Sequence, residues 1–156
     1  MKTWIRSLIP GLFSAMIFVV AGCSSKPHVH WTAYTPEEMS EALKPGQPTF
    51  VYFYAAWCGP CMQLKERTFT DSRVIVALEP YHRIKVDMSY IRSPKIQKIS
   101  DEFGIPGLPT LILFDPSGKS YFKHSGFVTA DQLLGVLEKF RNEFHLPAPA
   151  TIPNPE

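Results

Sequence analysis

Residues 49–61 constrain the fold most strongly, because an apolar strand pattern there runs directly into two closely spaced cysteines. The segment reads TFVYFYAAWCGPC. Aromatic and β-branched residues dominate its first part, which predicts a buried strand. Pro60 suits the first turn of a helix, where its missing N–H leaves no hydrogen bond unmade. We therefore expect a strand, a short loop and a helix that begins at Cys58, with Cys61 one turn further along.

Three roles are open to this cysteine pair: metal ligand, structural staple or redox couple. A structural zinc site needs four ligands, and the sequence contains no second C-x-x-C pair. A disulfide over so short a loop would constrain the unfolded chain very little, which argues against a staple. Copper stays open, because Cys58, Cys61 and Met62 are soft ligands suited to Cu(I). The local pattern therefore leaves redox chemistry and copper binding as alternatives.

The rest of the chain alternates between helix and strand patterns. Capping signals at Thr35, Ser93 and Thr129 each precede a helix, and DSRVIVAL predicts a further short one. Three more strands are predicted at HRIKVDM, TLILFD and KSYFKHS, and DPSG joins the last two as a hairpin. Strand–helix–strand units imply a parallel pair, and the hairpin adds an antiparallel one. The pattern predicts an α/β domain with a mixed four-stranded central sheet flanked by helices.

The first 22 residues are organised like a secretion signal. Lys2 and Arg6 precede an apolar run that ends at Ala21, and this run is shorter than the ~20 residues a spanning helix needs. The run closes in VAGC, which resembles the lipobox of bacterial lipoproteins. That resemblance implies cleavage before Cys23 and lipidation of Cys23; an uncleaved membrane anchor is the alternative. Either would place the domain outside the cytoplasm.

These patterns divide the chain into four parts. They are a signal peptide at 1–22, a lipidated tether at 23–34, a globular domain at 35–145 and a Pro-rich, disordered tail at 146–156. Ser24 and Ser25 follow the lipidated cysteine, and in lipoproteins this favours the outer membrane over the inner one. Loss of the two cations in the signal lowers the formal charge from +2 to zero. The mature chain then has no basic excess to bind nucleic acid.

The WCGPC motif between a strand and a helix resembles the active site of the thioredoxin superfamily. GLPT at 107–110 matches the family's cis-proline loop, and the resemblance extends over about residues 47–143. Within the superfamily, YAAWCGPCMQLKERTFTDSRVIVAL and FGIPGLPTLILFDPSG are most similar to the C-terminal domain of the transmembrane reductase DsbD. The cytochrome-maturation branch ranks second. The resemblance implies a thioredoxin fold for residues 35–145.

The resemblance also implies roles for individual residues. Cys58 and Cys61 would form a redox-active disulfide that needs no cofactor and no metal. At the start of its helix, Cys58 would be the attacking thiolate, and Cys61 would resolve the mixed disulfide. For Trp57, which the resemblance places among the substrate-binding residues, packing in the core is the alternative role. The residues expected to bind substrate flank the cysteines or belong to the cis-proline loop: Trp57, Gly59, Pro60, Leu108 and Pro109.

Electron flow and partners follow from the same resemblance. The dipeptide Gly59-Pro60 is that of reducing thioredoxins, which favours a reductase. A reductase in an oxidising compartment must be recharged, so a membrane electron donor of the DsbD type is implied. Two positions depart from the family pattern, because Tyr52 and Lys65 occupy sites where relatives carry acids. The acid at the first site is common to thioredoxins, and the second is found in the DsbD domain.

The sequence as a whole predicts an enzyme. We expect a monomeric, lipid-anchored thiol–disulfide oxidoreductase in the bacterial cell envelope, facing the periplasm and reducing disulfides of other extracytoplasmic proteins. The alternative is a Cu(I)-binding or copper-delivery protein that uses the two cysteines and Met62.

Overall fold

The computed structural model describes residues 27–149. Within that range no helix is both long enough and apolar enough to cross a lipid bilayer. The signal peptide and Cys23 lie outside the described residues, as does the end of the tail. The elements, in chain order, are β1 Thr32–Ala33, α1 Pro36–Ala42, β2 Thr49–Tyr54, α2 Gly59–Gln63, a π-helical turn Leu64–Thr68, α3 Ser72–Ala77, β3 His82–Asp87, α4 Pro94–Phe103, β4 Thr110–Phe114, β5 Ser120–Ser125 and α5 Ala130–Glu143.

The sheet has five strands in the order β1-β3-β2-β4-β5. The pairs β1–β3 and β2–β3 are parallel, and the pairs β2–β4 and β4–β5 are antiparallel. The mixed sheet flanked by helices is as the sequence predicted, but the predicted count of four strands is too low. The extra strand, β1, is only two residues long and both residues are exposed, so it has no apolar alternation that the sequence could reveal.

The folded domain therefore extends further towards the N-terminus than the sequence indicated. Val29 is buried and its N–H donates to the Phe69 carbonyl at 3.2 Å. The ring of Trp31 packs at 4.9 Å, centroid to centroid, on that of Phe69. Residues 29–34 of the expected tether thus belong to the domain. At the other end, Leu146 packs on the core, so the domain also passes the boundary expected at residue 145.

Alternation along the central strands builds a core on each face of the sheet. Phe50 and Tyr52 of β2 face the side covered by α2, α3 and α5. Val51 and Phe53 face the side covered by α1 and α4. Because both faces are covered, the whole of β2 except its last residue is buried, and after Thr49 its sequence is a run of apolar and aromatic residues rather than an alternation.

The predicted caps form where the sequence places them. The side chains of Thr35 and Ser93 each accept a hydrogen bond from the backbone N–H of the residue three positions later. Thr129 and Gln132 make a reciprocal capping box. An N-cap of this kind contributes about 1 kcal/mol to stability. The helix expected from Cys58 to Thr68 also forms, but its second half is a π-helical turn in which the Phe69 N–H donates to the Leu64 carbonyl at 3.0 Å.

Candidate active site

Three loops meet at one edge of the sheet. In the parallel pair β2–β3, Tyr54 lies opposite Asp87, so the segments that follow both strands emerge together. In the antiparallel pair β2–β4, Phe53 lies opposite Thr110. One step further along this register, Pro109 faces Tyr54. The cysteine loop, the loop after β3 and the proline loop before β4 therefore converge.

Cys58 caps the helix that follows it. Its backbone is extended, with φ −84° and ψ 107°, and its sulfur accepts from the Cys61 N–H at 3.2 Å. Pro60 occupies the first turn, as the sequence predicted. The two cysteines are joined by a disulfide. Both cysteines are buried, Cys58 at 5% and Cys61 at 2% exposure.

The side chain of Tyr52 lies beneath the cysteine pair. Its hydroxyl donates to the Cys61 carbonyl at 3.1 Å. The same carbonyl also accepts from the Leu64 N–H, at the junction with the π-helical turn. Burial, followed by the neighbouring Tyr54, raises the pKa of Tyr52 far above its ordinary value. Tyr52 therefore remains a neutral donor at physiological pH.

Trp57 lies on the surface beside the pair. Its side chain is 60% exposed, which excludes the alternative of core packing. Its ring Nε1–H donates to the Ser89 carbonyl at 3.0 Å, and the Ala56 N–H donates to the Ser89 Oγ at 2.8 Å. Ser89 thus fastens the loop after β3 to the loop that carries the cysteines.

The proline loop completes the edge. The Leu108–Pro109 peptide bond is cis, as the resemblance implied. The Pro109 carbonyl accepts from the Gly126 N–H at 2.8 Å, and the Thr110 Oγ1 donates to the Gly107 carbonyl at 2.6 Å. Leu108 is half-buried and packs on both core clusters. These contacts fix the loop on the sheet edge that also carries Cys58.

A groove of ≈ 730 Å³ runs behind Cys61, on the side of Tyr52. Trp31 and Tyr52 line its apolar wall, and Lys65 and Glu66 line its rim. Both charged residues are exposed to solvent. The rim consequently carries opposite charges rather than the acid found in relatives.

Side chains that could bind a metal ion are not clustered within residues 27–149. No group of three or more His, Cys, Asp or Glu residues is assembled there in a way that could hold an ion. His28 and His30 lie next to each other, with ring centroids 5.3 Å apart. Met62 is largely exposed on the helix surface.

Sequence reasoning missed two contributors to this site. From the sequence, Tyr52 was noted only as a position that lacks the acid of its relatives. A tyrosine at that strand position can also reach the helix backbone with its hydroxyl. Ser89 was not singled out. Its signal was the short spacing from Asp87, whose Oδ1 accepts from the Ser89 N–H at 2.8 Å and so turns the chain after the strand.

A family model described as a thioredoxin-like domain matches residues 35–141. The chain belongs to the thioredoxin-like family. This confirms the resemblance drawn from WCGPC and GLPT, and with it the thioredoxin fold, here with five strands. The solution structure of a thioredoxin from Thermus thermophilus has the same fold, with a TM-score of 0.61, 21% identity and coverage of 76% of this chain and 91% of that one.

The thioredoxin-like domain is similar to part of DsbD. It is 41% identical over 92 residues to the thiol:disulfide interchange protein DsbD of Campylobacter jejuni, which covers 59% of this chain and 16% of that protein. The DsbD of Actinobacillus pleuropneumoniae is 33% identical over 106 residues, covering 65% and 18% respectively. The chain thus spans less than a fifth of the length of these relatives.

A solved structure of the C-terminal domain of DsbD is also similar to this chain. The crystal structure of that domain from Neisseria meningitidis, in the oxidised form, aligns with a TM-score of 0.60 and 27% identity. The alignment covers 72% of this chain and 100% of the DsbD domain. The more specific resemblance, to the C-terminal domain of DsbD, is therefore confirmed as well.

Proposed function

We propose that this thioredoxin-like protein is a thiol–disulfide oxidoreductase of the bacterial cell envelope that reduces disulfides in other extracytoplasmic proteins through Cys58 and Cys61. The observation that carries the proposal is the placement of the pair. One cysteine caps a helix at the open edge of the sheet, and its disulfide partner is held one turn inside. Similarity to the C-terminal domain of DsbD supports this chemistry.

The reaction is a two-step exchange that transfers two electrons to the substrate. The Cys58 thiolate attacks one sulfur of the substrate disulfide, and a bond forms between the Cys58 sulfur and that substrate sulfur. The substrate's own disulfide bond breaks, and its other sulfur leaves as a thiolate that takes a proton. The Cys61 thiolate then attacks the Cys58 sulfur, and the mixed disulfide breaks. The substrate departs with two thiols, and the protein is left with the Cys58–Cys61 disulfide.

The helix start favours the first step. When Cys58 is a thiolate, the Cys61 N–H that points at its sulfur and the unpaired amides of the first turn stabilise the negative charge. Lowering a thiol pKa from about 8.5 to about 7 requires roughly 2 kcal/mol. A helix terminus reaches that value only in favourable, partly buried geometry, and hydrogen bonding from Cys61 would supply the remainder.

Substrate binding is assigned to the residues around the pair. Gly59 and Pro60 leave the rim beside Cys58 free of bulky side chains, and the Cβ position of Gly59 has no atom within 4 Å. The backbone of Leu108 and Pro109 lies beside it on the same edge, where an extended segment can pair with a strand end. Trp57, exposed and next to Cys58 in the chain, would contact the same segment.

The anchor and the electron donor complete the proposal. Lipidation at Cys23 would hold the domain at a membrane, facing the periplasm, with the outer membrane favoured by Ser24 and Ser25. The protein would act as a monomer there. Because each turnover leaves the pair oxidised, a membrane electron donor of the DsbD type would return it to the dithiol state.

Reduction of a protein disulfide tests the activity. The full chain, with dithiothreitol as electron source, is expected to accelerate insulin reduction at least tenfold over dithiothreitol alone. Cys58→Ser abolishes the acceleration, and Cys61→Ser accumulates a mixed disulfide that a thiol reagent releases. Cys23→Ala is the matched control, because it removes the third cysteine, which takes no part in the exchange. We expect its rate of insulin reduction to equal that of the wild type.

Two outcomes would overturn the proposal. Undiminished activity in both active-site variants would exclude exchange at this pair. Tight binding of one Cu(I), together with insulin reduction no faster than that by dithiothreitol alone, would support the copper-delivery alternative instead.

A further inference from the structure

Tyr52 contacts the chain on both sides of the π-helical turn that follows the active-site helix. Before the turn, its hydroxyl donates to the Cys61 carbonyl at 3.1 Å. After the turn, the ring of Phe69 packs on the Tyr52 ring with centroids 5.1 Å apart. Tyr52 is 6% exposed, so this link between strand β2 and the backbone of Cys61 is buried.

The hydrogen-bond pattern of the helix changes immediately after Cys61. The Leu64 N–H is shared between the carbonyls of Cys61 and Pro60. In the turn that follows, the Phe69 N–H donates to the Leu64 carbonyl, which is the longer spacing of a π-helix. Because the backbone donor to the Cys61 carbonyl is shared, the Tyr52 hydroxyl supplies a second donor at the point where the regular helix ends.

The second step of the exchange depends on where Cys61 is held. Once its thiol has released a proton to solvent, the Cys61 thiolate attacks the Cys58 sulfur and forms a bond to it. The bond between Cys58 and the substrate sulfur breaks, and the substrate sulfur leaves as a thiolate that takes a proton. Reacting atoms have to approach within about 3–3.5 Å, and small displacements lower the rate strongly. Since Cys61 attacks from within the core cluster, the position of its backbone sets the reach of its sulfur.

We propose that Tyr52 is a positioning residue for this second step, because its hydroxyl holds the Cys61 backbone where the Cys61 sulfur can reach that of Cys58. The inference rests on the proposed function and adds a residue that neither contacts the substrate nor exchanges bonds. Burial keeps the pKa of Tyr52 far above its ordinary value. Tyr52 therefore retains its own proton and does not act as the base that takes the proton of Cys61.

Two-phase kinetics separate the two steps of the exchange. The reduced full chain carries Cys23→Ala, which leaves Cys58 and Cys61 as its thiols, and it is mixed in slight excess with dithiobis(nitrobenzoate). Attack by Cys58 releases the first thionitrobenzoate and attack by Cys61 releases the second, so stopped-flow absorbance gives one rate for each step. In Tyr52→Phe we expect the second rate to fall about fivefold and the first to stay within about twofold of the parent.

The matched control is Tyr54→Phe in the same background. It removes the hydroxyl of the ring that is stacked on Tyr52 at 5.3 Å, and Tyr54 also lines the groove behind Cys61. Both of its rates stay at the parent values. A general loosening of the packing here would slow this control as well, whereas loss of the contact with the Cys61 carbonyl would not.

The same measurement at pH 6.5 and 8.5 separates positioning from proton transfer. The titratable side chains that line the groove beside Cys61 are those of His28, Tyr52, Tyr54, Lys65, Glu66 and Lys85. All except Tyr52 are present in both proteins, so their effects cancel in the ratio of the second rates. We expect this ratio to be the same at both pH values, because Tyr52 is neutral at each.

The positioning role is wrong if Tyr52→Phe leaves the second rate unchanged, if both rates fall equally, or if the ratio differs between the two pH values. Failure of the proposed function would appear elsewhere. The wild type would then reduce insulin no faster than dithiothreitol alone, whatever the ratio of the second rates.

Discussion

At the residue scale, the site depends on how Cys61 is fixed relative to Cys58. The Cys61 N–H is directed at the Cys58 sulfur, and the Cys61 carbonyl receives both the Leu64 N–H and the Tyr52 hydroxyl. Tyr52 is itself held by Tyr54, stacked at 5.3 Å, and by the edge of Phe69 at 5.1 Å. A neutral hydrogen-bond donor thus occupies the strand position where relatives place a buried acid.

Removing the Tyr52 hydroxyl tests this contact. Tyr52→Phe keeps the ring packing but loses one buried hydrogen bond, which contributes about 0.5–1.5 kcal/mol. We expect the free energy of unfolding of the oxidised protein to fall by about that amount in urea titrations. Tyr54→Phe, on the stacked and less buried ring, changes it by less than about 0.5 kcal/mol. Equal losses in the two variants would show that the Cys61 carbonyl does not depend on Tyr52.

The charge state of Cys58 can be tested independently of any substrate. In the reduced protein, we expect Cys58 to be alkylated by iodoacetamide with a pH midpoint below the ordinary thiol value of about 8.5, because the helix start favours the thiolate. The rate is measured from pH 5 to 10 by mass spectrometry, in the double variant Cys23→Ala, Cys61→Ser, which leaves Cys58 as the one thiol. A midpoint at or above 8.5, or no reaction in the folded protein, contradicts the proposed role.

At the element scale, the β4–β5 hairpin is docked against α1 by a close backbone approach. Gly118 has φ +82°, and a Cβ there would lie 2.5 Å from the Leu43 carbonyl oxygen. The Asp115 carboxylate accepts from the N–H groups of Ser117 and Lys119, which shapes the turn. The hairpin that DPSG predicted therefore needs its glycine both for the positive φ and for the space.

Two glycine substitutions should have opposite effects on stability. Gly118→Ala meets a backbone oxygen in a left-handed conformation, so we expect a loss of at least 1 kcal/mol. Gly135→Ala lies inside α5, and apart from the helix's own neighbouring backbone nothing lies within 4 Å of the new methyl group, so we expect a gain of up to about 1 kcal/mol. Urea unfolding of both variants measures the difference. A neutral Gly118→Ala would mean that the hairpin can move away from α1.

At the scale of the whole molecule, the helix-covered face that carries the active site also buries two tyrosines. Tyr52 and Tyr81 are 6% and 3% exposed in the same core cluster. Burial raises the pKa of Tyr81 from 10.0 to about 12 and that of Tyr52 further. The folded core therefore favours the neutral form of both side chains.

This burial predicts a loss of stability in alkali. Above pH 10 the unfolded chain releases the tyrosine protons while the folded chain retains them. Proton release stabilises the unfolded state relative to the folded one, so the free energy of unfolding falls. The contribution is fully present below pH 10 and declines up to about pH 12 by about 1.4 kcal/mol per pH unit for each tyrosine. Urea titrations at pH 8.5 and 11 measure it.

Tyr81→Phe serves as the comparison for this titration. The variant lacks one of the two protons, so its stability should fall less steeply than that of the wild type over the same interval. Other groups titrate equally in both proteins and cancel in the difference. Parallel curves for the two proteins would contradict a raised pKa at Tyr81.

Local chemistry explains what could be predicted from the sequence. Caps such as Thr129, the apolar runs of β2 and β4, and the proline in the first turn after Cys58 act over a few residues, so the sequence shows them directly. The motifs WCGPC and GLPT indicated the thioredoxin family, and the match to the family model confirmed that prediction. The candidate cysteines and the proline loop followed from these short stretches.

Contacts between distant segments had to come from the structure. β1 is exposed and two residues long, and it becomes a strand only because β3 offers an unpaired edge. Ser89 meets Trp57 32 residues away along the chain, and the Tyr52 hydroxyl reaches Cys61 across a strand and a loop. Sequence patterns report on neighbours within about one turn or one strand. The sequence by itself thus determined the family, the cysteine pair and every element except β1. Only tertiary packing decided what surrounds that pair, because those contacts join segments far apart in the chain.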